Sequence, residues 1–163
     1  NWFGALRRTV TGLVGGIYQK APRFDVPARA RGWLDDITLT HIPMSAFALE
    51  ATSEVLLMAR FGVLVEMASA TPYGETRPYL VSFTAENIIN WRTSNLGGDD
   101  VLTLVVLRET PTVLDEKDPF QVKPLEQYRV LSLDEDLRYT QQLWRRLDQS
   151  GDFAPYGGAV GSR

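Results

Sequence analysis

The stretch Tyr79-Leu-Val-Ser-Phe-Thr-Ala-Glu-Asn-Ile-Ile-Asn-Trp-Arg92, followed by Gly97-Gly98 and then Val101-Leu-Thr-Leu-Val-Val-Leu-Arg-Glu109, decides the fold. Two apolar runs rich in β-branched and aromatic residues flank a short polar-apolar segment. The pattern reads as strand, one tight helical turn, loop, strand. Thr84 is placed to cap the turn, and Glu86 carries charge where a helix N-terminus favours it. Asn87, Ile88, Ile89, Asn90 and Trp91 form the turn, with Ile88, Ile89 and Trp91 expected to pack against the sheet. Over 101–109 both alternating sets are apolar, which predicts a strand covered on both faces. Its end, Arg108-Glu109, is expected to return to solvent.

Upstream, residues 43–60 carry a helical stripe of Phe47, Ala51, Val55 and Met58, widened by Leu56 and Ala59, with Glu50 and Glu54 outward. Pro43 suits the first turn and Gly62 the stop. Val63-Leu64-Val65 reads as a buried strand entered almost directly from that helix. Residues 68–78, with Pro72, Gly74 and Pro78, read as a loop. Residues 1–20 place Trp2, Phe3, Leu6, Val10, Leu13, Val14 and Ile17 near one helical face. Gly12, Gly15 and Gly16 weaken that helix and suggest close packing on a neighbour. Residues 21–36 read as an exposed connector.

Downstream, 110–126 is a proline-rich acidic loop. Two readings compete for 127–148. Ser132-x-x-Glu135 has the form of a capping box, and Leu133, Leu137, Thr140, Trp144 and Leu147 follow helical spacing. Alternatively, Tyr128 to Leu133 and Tyr139 to Leu147 are strands around Asp134-Glu-Asp136. The Gly-rich residues 151–163 are expected to form a mobile tail. The result is an α+β chain with two main helices on a mixed or antiparallel sheet. Its organisation is a helix and basic connector (1–36), a core (37–150) and a tail (151–163).

Composition limits the chemistry. The chain has 163 residues, 44% hydrophobic and 23% charged, ordinary values for a globular protein. With no cysteine there is no disulfide scaffold, thiolate nucleophile or Cys-ligated metal. No apolar run reaches the roughly 18 residues of a membrane span. The single histidine, His41, reads as structural. Asp99-Asp100 and Asp115-Glu116-x-Asp118 lack the ligand pattern of a calcium loop. No serine has a nucleophile-elbow setting, and no glycine loop has the Lys-Ser/Thr of a phosphate cradle. No cofactor or metal is implied, and no catalytic residue stands out. The charge is segregated, although the net value is only −3. Before residue 35 six bases, Arg7, Arg8, Lys20, Arg23, Arg29 and Arg31, face one acid, Asp25. That segment is either a solvated face or a contact for a polyanion or an acidic neighbouring subunit.

Three segments together resemble one family. Thr9-Val-Thr-Gly-Leu-Val-Gly-Gly-Ile-Tyr-Gln-Lys-Ala-Pro22, Ala59-Arg-Phe-Gly-Val-Leu-Val65, and Pro78-Tyr-Leu with Ala85-Glu-Asn-Ile-Ile-Asn-Trp-Arg92 and Leu104-Val-Val-Leu-Arg-Glu109 are similar to portal proteins of tailed bacteriophages. The likeness extends weakly to Tyr128-Arg-Val-Leu131 and Leu143-Trp-Arg-Arg146. It implies a structural, non-enzymatic subunit of the ring, usually of twelve copies, at one capsid vertex. Such a ring passes double-stranded DNA without sequence-specific binding during packaging and ejection. It docks the terminase and later the head-tail connector and contacts capsid proteins. The chain then corresponds to the peripheral wing region of a longer subunit, lacking stem, clip and crown. It is found in the virion and, during assembly, in the host cytoplasm, with no membrane. The acidic balance suits easy sliding of DNA. The resemblance also implies strand, turn and strand over 127–147, gives Trp91 a core role, and makes Arg92, Arg108 and Glu109 candidate subunit contacts beside Arg7 and Arg8. The alternative from another class is a small metal-dependent hydrolase or nuclease whose acids, Asp99, Asp100, Glu109 and Asp115, gather in space. A stand-alone adaptor is a third.

Overall fold

The computed structural model describes residues 4–67, 76–115, 118, 120–134, 136–146 and 151–161. Trp2, Phe3, the loop residues 68–75, Glu116, Glu135, Leu147 and the tail residues 162–163, each used above, lie outside them. The fold is α+β, with antiparallel pairing throughout its described strands. It divides into two compact units at Ala85/Glu86, each closed locally around its own sheet.

In the first unit, helix α1 (Ala5–Ile17) buries Val10 and Val14, and the Tyr18 hydroxyl meets Thr52 Oγ1 at 2.9 Å on helix α2 (Met44–Met58). The expected close approach at the α1 glycines is not found. A Cβ added at Gly12, Gly15 or Gly16 meets nothing within 4 Å. Within the expected connector, Ala28–Asp35 forms a 3-10 helix. Asp36 then anchors the following loop: its Oδ1 accepts the His41 backbone N–H at 2.9 Å, and its Oδ2 lies 3.3 Å from Arg77 Nη2.

Helix α2 starts after Pro43 and stops at Ala59, which adopts φ 57° and donates its N–H to Val55 O. The stop is therefore a left-handed alanine; Gly62 instead lies inside strand β1 (Phe61–Met67). Strand β2 (Pro78–Thr84) pairs with β1 antiparallel. Phe47 meets Phe61 edge-on at 6.1 Å, fastening α2 to this ribbon. Phe47 is the one buried residue of α2. Val55 and Met58, expected inside, are half exposed, because a helix apolar on every side offers more faces than this unit has layers to cover.

The second unit is an antiparallel meander. Its strands are β3 (Ile88–Leu96), β4 (Asp99–Glu109), β7 (Gln127–Leu133), β8 (Tyr139–Arg146) and β9 (Phe153–Gly161), in that spatial order. A small hairpin, β5 (Thr112–Leu114) with β6 (Val122–Pro124), interrupts it between β4 and β7. The expected turn over 87–91 is mostly strand: only Ala85–Asn87 makes a 3-10 turn. Ile88, Ile89, Trp91 and Thr93 suit a pleated strand. Gly97 (φ 67°) and Gly98 (φ 104°) supply the left-handed two-residue turn that closes β3 onto β4. Trp91 pairs with Val105 and Asn90 with Val106.

Residues 127–146 are strand, turn and strand. Ser132, which looked like a helix cap, instead meets Thr140 Oγ1 across the ladder at 2.9 Å. Asp134 builds the turn by accepting the N–H groups of Asp136 and Arg138. The expected mobile tail is the fifth strand. Phe153 packs edge-on against Tyr128 at 4.7 Å, and the Arg146 and Arg145 guanidinium groups lie over Phe153 and Tyr156. These aromatic contacts stabilise a Gly-rich strand that propensity alone disfavours.

Candidate functional site

The residues singled out from the sequence do not converge. Arg7 and Arg8 are exposed on α1, and Arg92 is exposed on β3. Arg108 is partly buried, its Nη2 3.5 Å from Glu86 O. Asn87 sits in the 3-10 turn and Asn90 is exposed on β3. The core role expected for Ile89 and Trp91 is corrected: they are 45% and 50% exposed, because β3 is an edge strand with pairing on one side only. Ile88 is partly buried opposite Leu107. Strand β4 is likewise not covered along both faces; Leu107 is buried but Leu102 is half exposed.

Glu109 also departs from expectation. Its carboxylate accepts Arg129 Nε at 2.5 Å and the Gln127 amide, and both charged side chains are mostly buried. Gln127 Oε1 in turn accepts Arg145 Nε at 2.6 Å. Register explains the set: Glu109, Gln127 and Arg145 stand opposite one another on three successive strands, and Arg129 lies two residues along. Period-two alternation puts all four on one face. Donors and acceptors are turned on each other, so the row clamps the sheet. Sequence reading missed it because partners 18 to 20 residues apart carry no local signal.

The acids of the alternative reading are spread out. Asp99 and Asp100 lie beside the Gly97-Gly98 turn, whereas Glu109 ends the same strand. At about 3.3 Å per residue the two ends are roughly 30 Å apart. Asp115 pairs with Lys123 at 3.6 Å. Among the described residues no group of three His, Asp or Glu residues could hold a metal ion. His41 is 96% exposed, 3.8 Å from Asp36. No described helix is long and apolar enough to cross a membrane.

A groove of about 560 Å³ lies between α1 and α2, lined by Leu6, Arg7, Val10, Val14, Leu49 and Leu57. Several large apolar side chains are exposed: Val63, Val65 and Met67 on one face of β1, Leu6 and Ile17 on α1, and Ile89 and Trp91 on β3. No protein-family model and no curated protein matches the chain.

Proposed function

We propose that this chain is the wing-region part of a portal-ring subunit of a tailed bacteriophage. In this role the protein is structural: its copies assemble around a channel for packaging and ejecting double-stranded DNA and present surfaces to the terminase, the head-tail connector and the capsid. The observation that carries the reading is the unburied apolar surface. Large apolar side chains stand exposed on α1, β1 and β3, and an assembly subunit covers such side chains with its neighbours. The Glu86-to-Arg92 run gives the assembly its identity by resemblance. The strand-turn-strand form of 127–146, which that resemblance implied against the helical periodicity, supports it. Ile89 and Trp91 then belong to the contact surface and not to the core.

Electron microscopy of the product of the complete reading frame tests the proposal. Rings with a central channel are expected. A compact monomer with metal-dependent nuclease turnover is the result that overturns it.

A further inference from the structure

We propose that the notch between strands β4 and β7 is a binding site for an extended, basic segment of a partner protein, which adds to β4 as a further strand. β4 is an interior strand over only part of its length. Its pairing with β7 runs from Glu109 to Leu104, whereas its pairing with β3 continues to Asp99. Among the described residues, 99–103 therefore have a strand neighbour on the β3 side alone. β7 does not continue alongside them. After Leu133 the chain turns back, because Asp134 accepts the N–H groups of Asp136 and Arg138. A register shift at Arg92–Thr93 marks the height at which the β3–β4 ribbon leaves the sheet.

Turn geometry decides which backbone groups are offered. The two-residue turn at Gly97-Gly98 makes Leu96 and Asp99 a hydrogen-bonded pair, and alternation makes Ser94 and Val101 the next. The N–H and C=O of Asp100 and Leu102 then point away from β3, into the notch. The notch has a volume of about 180 Å³ and is lined by Leu102, Leu104, Leu131, Leu133 and Tyr139. That is below the roughly 300 Å³ at which small-molecule sites begin, and it suits the apolar side chains of one short strand. A bare stretch of strand edge beside an apolar notch has the form of a β-addition site.

Charge selects the occupant. Among the described residues at this end of the sheet, Asp99, Asp100, Asp134 and Asp136 stand against Arg92 and Arg138, all of them exposed. Arg138 already lies 3.6 Å from Asp136, and Arg92 stands opposite Leu104 on the far strand of the ribbon. Asp99 and Asp100 belong to the bare edge itself. A segment with bases flanking β-branched residues meets both the acids and the notch, whereas an acidic segment is repelled. A second copy offering the same edge would bring four aspartates together. The site rests on this sheet alone and not on the portal reading.

Amide hydrogen exchange, followed residue by residue by NMR on the full chain, tests the proposal. In the free chain the Asp100 and Leu102 amides are expected to exchange at least about fivefold faster than that of Val101 between them, the ratio that one net hydrogen bond supplies. Acetyl-Lys-Val-Thr-Val-Lys-amide at millimolar concentration is expected to slow those two amides and to shift the Leu131 and Leu133 signals. The Glu-Val-Thr-Val-Glu counterpart should act at least about threefold more weakly, and Asp99→Lys with Asp100→Lys should reverse that order. Leu102→Pro deletes an outward N–H and none that pairs with β3. It should leave the exchange pattern of 104–109 unchanged and abolish the effect of the peptide. Asp100 and Leu102 amides as protected in the free chain as Val101 overturn the proposal, since the edge is then not bare. So does an equal effect from the lysine peptide N-methylated at every residue, which cannot pair through its backbone. Protection that rises with chain concentration in the absence of peptide would give the edge to a second copy and also overturn it.

Discussion

Glu109 illustrates how much one side chain carries when a sheet has few buried residues. Its carboxylate holds Arg129 and Gln127, and through Gln127 it positions Arg145. Glu109→Ala removes the carboxylate that a mostly buried guanidinium and the Gln127 amide both bond, which costs about 3 kcal/mol. Urea unfolding of the variant should show that loss, with the m-value unchanged. Tyr128 gives a second prediction. Burial first, then its hydrogen bond to Glu126 and that carboxylate's charge, hold its phenol above the ordinary tyrosine value, against the pull of Arg108 and Arg146. A phenol raised in the folded state loses its proton first in the unfolded chain. Its contribution is therefore complete below the ordinary value of about 10 and is lost as pH rises through the folded value. Urea midpoints of Tyr128→Phe should fall less steeply than those of the parent chain in that alkaline window. The sequence pointed to Tyr128 as a sheet residue but to Glu109 as solvated. A charge at a strand end looks exposed until register supplies its partner.

Among the elements, helix α2 ends on a conformation that alanine disfavours. Ala59 at φ 57° should gain about 1 kcal/mol on replacement by glycine, read as a rise in melting temperature. Helix α1 makes the opposite case. Gly15 has open space around its missing Cβ, so Gly15→Ala should stabilise the isolated chain by about 1 kcal/mol, seen as increased helicity and a higher urea midpoint. The helices and the strand pair around Gly97-Gly98 were legible because periodicity and turn chemistry are local. Strand β3 was mistaken for a turn because a polar-apolar mixture on an edge strand loses clean alternation. Strand β9 was missed because its support comes from Phe153 and Tyr156 meeting residues of β7 and β8. Glycine content alone signalled mobility. The helical spacing over 133–147 was coincidental, and Ser132 and Asp134 make strand and turn contacts instead.

At the scale of the whole molecule the α+β class followed from the sequence, but the exposed faces did not. Periodicity shows which side of an element is apolar and not whether anything covers it. Val65, Leu6 and Trp91 all sit where a core was expected, yet they face outward. Exposed apolar side chains on α1, β1 and β3 and the segregated charge support the proposal that the chain is part of an assembly. The most direct test is a three-dimensional reconstruction of the assembled product of the complete reading frame, at a resolution that separates strands. The account predicts one copy of the α1–β2 unit and one of the β3–β9 unit per ring subunit, at the periphery, with the apolar faces of α1, β1 and β3 against protein. A particle without a ring, or a ring in which those faces point to solvent, would contradict it.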